Sequence, residues 1–305
     1  MDSYQLGLDI GGSKTQALVA GHGVIVADVR GPSANPASVG LTEAARRIRH
    51  LLADLTDPAG HRIDPRAISS VCAGAAGVDT PEQEARIAAV LTEALPGATV
   101  TVVHDTELLL AAAGTPTGIA LIAGTGSVAW GSSLDGRQAR AGGWGYLLGD
   151  DGSGYGIARA AVRHALSRLD VALGPDPLSA HLATACGVER PGLLLDHFYA
   201  VGERRYWAER SRAVFELAEA DDPAAYGIVV EAADALATLV ELVSLRLAIA
   251  GPVILAGGVL VHQPLIRRLL ADRLAAIGVT DLRLLDAAPA LGAVRLAETR
   301  DLLPL

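Results

Sequence analysis

The sequence is poor in aromatic residues and in cysteine. Of its 305 residues only 4% are aromatic whereas 50% are hydrophobic, so Ala, Val, Leu and Ile must build most of the core. A core of this kind is typical of helices packed on sheets and favours an α/β fold. The two cysteines, Cys72 and Cys186, lie far apart and form no CxxC pair, which argues against a zinc or iron–sulfur motif. We expect both thiols to be buried and inert.

Basic charge and long apolar runs are also lacking. The formal net charge is −9, and no block of Lys or Arg offsets it, which argues against a general nucleic-acid or anionic-membrane partner. Gly, Pro or charged residues interrupt every apolar run before it reaches the roughly 20 residues that a membrane helix needs. The start, Met1-Asp2-Ser3-Tyr4, carries no basic region of a secretory signal. We therefore expect a cytosolic protein.

Short strands and helices alternate along the chain. The start predicts an antiparallel meander of three strands, followed by a helix over 41–55 with Thr42 as its N-cap. The βαβα order that follows favours a partly parallel sheet. At 114–118 the pattern breaks, and a second strand–glycine–strand module suggests a duplication. We predict one domain at 1–113 and another at 114–305, with the last helix as a candidate to return to the first domain.

Three turns of small residues each follow an apolar strand. They are DIGGSKT at 9–15, GTGS at 124–127, and the Gly257-Gly258 step that opens a helix. Such turns expose backbone N–H groups and can bind phosphate oxygens, although each alone is more often an ordinary turn. Neither GxxxxGK[ST] nor GxGxxG occurs at a strand end, which excludes a P-loop and a dinucleotide-binding Rossmann motif.

Together the three turns resemble the phosphate-one, phosphate-two and adenosine motifs of the sugar kinase, actin and heat-shock chaperone superfamily. Within it, the stretch GGWGYLLGDDGSGYGIARAAV at 142–162 is similar to the N-acetylglucosamine kinase branch, which also contains BadF/BadG-type ATPases. The resemblance covers nearly the whole chain. It implies an α/β fold of two actin-like (ribonuclease H-like) domains with an ATP cleft between them, and it implies a homodimer.

The resemblance also implies a role for each matching residue. Asp9 would hold Mg²⁺, and Asp105 would be the catalytic base that accepts the proton of the sugar's 6-hydroxyl. The residues that would bind ATP are Gly11, Gly12, Ser13, Lys14, Thr15, Gly124, Thr125, Gly126, Gly257 and Gly258. Those that would bind the sugar are Asn35, Asp105, Thr125, Gly143, Trp144, Gly145 and Asp150.

Ordinary structural roles are open to several of these residues. Asp9 could cap its own turn, and Asp105 could be the N-cap of the helix that follows it. Asn35 would otherwise be a turn residue, and Trp144 a core residue. His104 stands where relatives commonly carry Asn; it could tune Asp105 or fill a strand position, and we favour the strand position.

The combined pattern favours ATP-dependent phosphorylation of the 6-hydroxyl of an amino sugar, N-acetylglucosamine by preference. Ala73 and Ala75 stand where some N-acetylhexosamine kinases place serine, so glucosamine or N-acetylmuramic acid are alternative substrates. A BadF-type ATPase acting on a protein partner is a second hypothesis, although the clustered cysteines of a bridging iron–sulfur centre are absent. A sugar sensor without chemistry is a third, against which the intact Asp9 and Asp105 argue.

Overall fold

The computed structural model describes residues 3–12, 14–75, 78 and 80–301. Within this part the chain forms two compact units. The first runs to Pro116 and includes the segment from Leu285 onward, and the second is Thr117–Leu284.

The described residues form ten strands and twelve α-helices, joined by turns and loops. The strands are β1 (Tyr4–Ile10), β2 (Lys14–Gly21), β3 (Val24–Pro32), β4 (Ile68–Ala75), β5 (Thr99–His104), β6 (Gly118–Ala123), β7 (Ser127–Ser132), β8 (Gln138–Gly142), β9 (Val253–Ala256) and β10 (Leu282–Leu284). The helices are α1 (Pro36–Val39), α2 (Leu41–Ala53), α3 (Pro81–Ala94), α4 (Asp105–Ala112), α5 (Gly154–Asp170), α6 (Pro177–Ala185), α7 (Leu194–Ala200), α8 (Arg204–Glu219), α9 (Pro223–Leu247), α10 (Gly258–His262), α11 (Pro264–Ala275) and α12 (Pro289–Asp301).

Each unit is built on a five-stranded sheet, and the two sheets share one topology. The order is β3-β2-β1-β4-β5 in the first unit and β10-β9-β6-β7-β8 in the second. In both sheets the first three strands along the chain pair antiparallel and the last two join in parallel. The predicted α/β class and the two strand–glycine–strand modules are confirmed.

The sheet of the first unit is buried on both faces. Leu6, Leu8 and Ile10 alternate along β1 and join the core that includes residues of α2 and α3. On the opposite face, Leu18 and Ala20 of β2 pack against α12. The alternation of the strand therefore directs successive side chains to two different helical layers.

Helix α12 approaches β1 and α4 so closely that glycines are required. A Cβ on Gly7 of β1 would lie 2.4 Å from the carbonyl oxygen of Ala290, and one on Gly292 would lie 2.0 Å from that of Leu108. Real Cβ atoms do not make such contacts, so both glycines let backbone pack on backbone. This close packing joins the end of the chain to the first unit.

The second unit packs its helices around a larger core. The long helix α9 contributes Val229, Leu236 and Val240 to a cluster that also includes Trp207 and Phe215 of α8. Cys186 belongs to the same cluster, and both it and Cys72 are buried free thiols, as predicted. None of the described helices combines the length and apolar character needed to cross a membrane.

The predicted N-cap of α2 is wrong. The helix begins at Leu41, and its N-cap is Gly40, with a φ of 79° and no side-chain capping bond. Gly40 also ends α1, so one residue with a positive φ separates two consecutive helices. Thr42 lies inside the first turn, where its hydroxyl is not at the capping position.

The close approach of α12 predicts an asymmetric response to glycine replacement. Gly292→Ala is expected to lower the free energy of unfolding by about 3 kcal/mol, because its Cβ meets backbone that cannot yield. Gly227→Ala is the matched control, since nothing lies within 4 Å of its Cβ in α9; it is expected to be neutral or stabilising by about 0.5–1 kcal/mol. Urea unfolding of both variants measures the difference, and equal effects would contradict the packing described.

Candidate active site

Asp9 occupies the penultimate position of β1, immediately before the first glycine turn. Its neighbours across the sheet are Gln16 of β2 and Gly74 of β4. The pKa of Asp9 is raised to about 6, first by burial and then by the negative charge of Asp105, while the positive charge of Lys14 opposes the rise. We call Asp9 and Asp105, whose negative charges repel each other, the carboxylate pair of the first unit.

Two neighbouring carboxylates fit the chemistry of a magnesium site. Mg²⁺ binds through one or two carboxylates together with substrate phosphates and several waters. A divalent cation would also offset the repulsion that raises the pKa of Asp9. Asp9 would be the residue that holds such an ion, with Asp105 as the second charge.

The first turn is closed by its own backbone. The N–H of Gly11 donates to the carbonyl oxygen of Lys14 at 3.0 Å, and no atom would obstruct a Cβ on Gly12. Gly12 and Lys14 are exposed. Ser13, a predicted nucleotide contact, lies outside the described residues.

Buried hydrogen bonds join this turn to the loop that carries Asn35. Ser33 donates from Oγ to the carbonyl oxygen of Gly11 at 2.8 Å, and the N–H of Ala34 donates to Thr15 Oγ1 at 2.8 Å. Asn35 is only 4% exposed, and its Oδ1 caps α1 by accepting from the N–H of Ala37 at 2.9 Å. The hydroxyl of Thr15 therefore supports the loop, and the loop holds Asn35 in place.

Asp105 is the first residue of α4, and the N-cap is His104. The Nδ1 atom of His104 accepts from the N–H of Thr106 at 3.3 Å and lies 3.0 Å from Asp105 Oδ1. One ring nitrogen carries either a lone pair or a hydrogen, so Nδ1 cannot accept from Thr106 and donate to Asp105 at the same time. His104 is also the last residue of β5, so the favoured strand position is confirmed, and the side chain caps α4 in addition.

The second glycine turn, between β6 and β7, is braced by the segment before α5. The N–H of Gly154 donates to the carbonyl oxygen of Gly124 at 2.8 Å, and the N–H of Ser127 donates to Asp150 Oδ1 at 3.1 Å. A Cβ on Gly126 would lie 2.9 Å from the same Asp150 carboxylate. Only glycine therefore fits at 126 while Asp150 stays in place.

Asp150 is buried and adopts a φ of 61°, which is uncommon for a residue with a side chain. Burial raises the pKa of its carboxyl, while the Ser127 N–H and then the charges of Arg204 and Arg159 favour the ionised form. Asp150 thus lies against the second turn, where sequence alone had placed it only in a sugar-binding loop.

The Gly257-Gly258 step lies beside the second turn. Gly257 has a φ of 91°, and a Cβ there would lie 2.4 Å from the carbonyl oxygen of Ala123 at the end of β6. A Cβ on Gly124 would lie 3.7 Å from the nitrogen of Gly258. The two predicted nucleotide segments of the second unit are therefore in contact.

A cavity of about 240 Å³ opens next to these glycines. One wall comes from the predicted segments and from α10, and the other is formed by one face of α8. The α8 residues, which the sequence did not single out, are Arg205, Ala208, Glu209, Ser211 and Arg212. Positions 205, 208, 209 and 212 have helical i, i+3, i+4, i+7 spacing, but that spacing indicates a shared face and not a ligand.

The remaining predicted sugar residues lie in the loop between β8 and α5. Gly143 and Gly145 have φ values of 72° and 82°. Trp144 is 68% exposed, with the guanidinium of Arg140 over its ring at 5.4 Å, so it is not a core residue.

The structure brings the predicted residues together in two groups. In the first unit, Asp9, Asp105 and the first turn share one edge of the sheet, with the Asn35 loop bonded to the turn. In the second unit, the turn at 124–126, Asp150 and Gly257-Gly258 are mutual neighbours. Their roles in binding and catalysis stay predictions.

The raised pKa of Asp9 predicts a pH-dependent gain in stability for Asp9→Asn. The folded state binds the proton more tightly than the unfolded chain, whose value is 3.8, so the ionised carboxylate destabilises the fold as the pH rises from about 4 to about 6. At pH 8 the variant is expected to exceed wild type by about 2 kcal/mol, after allowance for partial exposure, and by nothing at pH 3.5. Chemical unfolding at both pH values measures this.

Asp272→Asn, at an exposed position on α11, serves as the control and should change stability by less than about 0.5 kcal/mol at either pH. A pH-independent effect of Asp9→Asn would contradict the buried, repelled carboxylate.

The capping role of His104 predicts that α4 needs a side-chain acceptor at its N-cap, and that this acceptor need not be an imidazole. His104→Ala is expected to lower the free energy of unfolding by about 1 kcal/mol, because the N–H of Thr106 loses its acceptor. His104→Asn keeps a side-chain acceptor at the N-cap and should remain near wild type. Thermal unfolding of the two variants compares them, and an equal loss in both would rule out capping.

Two named kinases are similar to this chain in sequence. The chain is 35% identical over 170 residues to N-acetylmuramic acid/N-acetylglucosamine kinase from Clostridium acetobutylicum, covering 55% of each chain, so the match spans about half the length of that kinase. It is 29% identical over 287 residues to N-acetyl-D-glucosamine kinase from Dictyostelium discoideum, covering 88% of this chain and 89% of that one.

Solved structures share the fold. A candidate N-acetylglucosamine kinase from Chromobacterium violaceum superposes with a TM-score of 0.78 at 23% identity, covering 97% of this chain and 99% of that one. The ROK hexokinase from Thermus thermophilus superposes with a TM-score of 0.60 at 18% identity, covering 98% and 99%. The predicted actin-like fold is therefore confirmed. The sequence pattern of the BadF/BadG/BcrA/BcrD ATPase family matches residues 6–297, and the chain belongs to that family.

Proposed function

We propose that this chain is an ATP-dependent kinase that phosphorylates the 6-hydroxyl of an amino sugar, N-acetylglucosamine by preference. The observation that carries the proposal is the carboxylate pair of Asp9 and Asp105 beside the first glycine turn. The two kinases that match in sequence, one over 88% of this chain, act by name on N-acetylglucosamine. Their names support the choice of substrate.

The two carboxylates would have different tasks. Asp9 would hold Mg²⁺, which supplies charge neutralisation at the transferred phosphate when bound. Asp105 would accept the proton of the 6-hydroxyl while that oxygen bonds to the γ-phosphorus of ATP and the bond to ADP breaks. Its position as the first residue of a helix, next to the His104 cap, fixes the carboxylate and supports the role of orienting the hydroxyl.

The second unit would supply the nucleotide and sugar contacts. The turn at 124–126 would hold phosphate oxygens, Thr125 would also reach the sugar, and the 240 Å³ cavity beside Gly258 would take the nucleoside. The loop at 143–150 would hold sugar hydroxyls and the acetamido group, with Asn35 of the first unit as a further contact. Unpaired polar groups in such a pocket would penalise sugars that lack the matching hydroxyl or amide.

N-acetylmuramic acid is a second candidate substrate. The matching kinase from Clostridium acetobutylicum is named for both this sugar and N-acetylglucosamine, and it is 35% identical in the matched segment. Parallel assays with both sugars would decide between one substrate and two.

Three further features stay predictions. Magnesium dependence is supported by the donor chemistry of Asp9 and Asp105. A homodimer and a cytosolic location rest on the resemblance and on composition. Chelation with EDTA and the elution mass of the purified chain test the first two.

Replacement of the proposed base predicts a loss of sugar-dependent turnover. Asp105→Asn keeps the shape of the side chain but accepts no proton, so sugar-stimulated ADP release from Mg-ATP should fall by about 10²- to 10⁴-fold. The assay compares N-acetylglucosamine, N-acetylmuramic acid, glucosamine, N-acetylmannosamine and glucose. Glu84→Gln, an exposed carboxylate of α3 in the same unit, is the control and should retain full activity.

Two results would count against the kinase. Equal ADP release with and without every sugar would favour an ATPase that acts on a protein partner. Full activity in Asp105→Asn would remove the assigned base while leaving the substrate open.

A further inference from the structure

The loop between β8 and α5, residues 143–153, is named here the sugar loop; it has neither helix nor strand to hold its shape. Its backbone has a positive φ at Gly143, Gly145, Asp150 and Gly152. For Asp150 this conformation is intrinsically unfavourable, so neighbouring groups must hold it. Contacts outside the loop therefore decide its conformation.

Arg159 of α5 makes two such contacts with one guanidinium. Nη1 donates to the carbonyl oxygen of Tyr146 at 2.7 Å, and Nη2 donates to Asp151 Oδ1 at 2.9 Å. The two acceptors are on either side of the segment 147–150. The planar fork of arginine reaches both at once, which the single ammonium group of lysine does not do in the same geometry.

The surroundings of Arg159 favour this one arrangement. Its side chain is 28% exposed, and its guanidinium lies 5.9 Å from the ring centroid of Tyr155, which in turn meets the ring of Tyr146 edge-on at 5.3 Å. Asp151 is 69% exposed, so the ion pair with it contributes little by itself. The charged hydrogen bond to the partly buried Tyr146 carbonyl is the stronger contact.

The segment between the two acceptors of Arg159 lies among the proposed sugar contacts. Gly145 precedes Tyr146, and Asp150 precedes Asp151, so the fork binds the backbone next to Gly145 and the side chain next to Asp150. Asp150 is also bonded to the N–H of Ser127, which ties the far end of the sugar loop to the second glycine turn. Arg159 itself belongs to neither the sugar nor the nucleotide contacts assigned above.

We propose that Arg159 is a positioning residue that holds the sugar loop in the conformation that binds the sugar. The inference rests on the proposed function and adds a residue to it. Without the fork, the sugar loop would adopt the binding conformation in only a fraction of the molecules. The apparent affinity for the sugar would then fall by that fraction. The nucleotide cavity is lined by the second glycine turn, α8 and α10, and Arg159 is not one of its lining residues, so ATP binding should change less than sugar binding.

Three variants test this role. Arg159→Gln removes the charge and the fork, Arg159→Lys keeps the charge only, and Arg163→Gln removes an exposed arginine one turn further along α5. We expect Arg159→Gln to raise KM for N-acetylglucosamine by about 10- to 100-fold, with KM for ATP within about threefold of wild type. Arg159→Lys should be nearly as impaired, and Arg163→Gln should match wild type.

Hydrogen exchange of the backbone amides over 143–152 gives a readout that needs no substrate. We expect exchange in this segment to accelerate by about tenfold or more in Arg159→Gln and to be unchanged in Arg163→Gln. Exchange in the β9 and α9 segments, measured in the same experiment, reports whether the unit as a whole remains folded.

Three outcomes would overturn the proposal. Unchanged exchange over 143–152 in Arg159→Gln would show that other contacts hold the loop. Equal increases in both KM values would show that the residue acts on the whole unit, and wild-type kinetics in Arg159→Lys would show that charge alone suffices. If no sugar stimulates the wild-type enzyme, the proposed function fails, and the exchange rates still decide whether Arg159 fixes the loop.

Discussion

Close approach of backbone to backbone at glycine positions is the constraint on which both units depend. In the first unit, Gly7 and Gly292 allow α12 to lie directly on β1 and α4. In the second unit, Gly257 contacts the carbonyl of Ala123. A Cβ on Gly154 would lie 2.9 Å from the carbonyl oxygen of Ala208. Because interiors are close-packed, a methyl group at any of these places would displace whole elements.

Polar groups around the turns are held by bonds that cross from one loop to another. Ser33 and Thr15 join the Asn35 loop to the first turn, and Asp150 joins the sugar loop to the second. Burial next to Asp105 makes the Asp9 carboxylate costly to ionise, a condition that a bound cation would relieve. The ionised Asp9 therefore lowers the stability of the fold, as strongly perturbed carboxylates at functional sites commonly do.

Local pattern was enough to predict most elements, whereas the family resemblance supplied the candidate site residues. The alternation in β1, the glycine turns and the position of Asp105 after a strand follow from short-range rules. Such rules failed at α2, where Gly40 replaces Thr42 as the N-cap. They placed His104 correctly in a strand but did not show that it caps α4 and contacts Asp105. Propensity alone does not rank these competing partners.

The sequence by itself determined the α/β class, the repeated strand–glycine–strand module, and the residue types at both turns, because periodicity and glycine conformation are local properties. Only the tertiary structure decided that α12 packs on β1, that α8 forms a wall of the cavity beside Gly258, and that Arg159 bridges Tyr146 and Asp151. These are contacts between elements distant in sequence or between a helix and a loop of irregular backbone. Their geometry depends on how the elements pack, which no local pattern encodes.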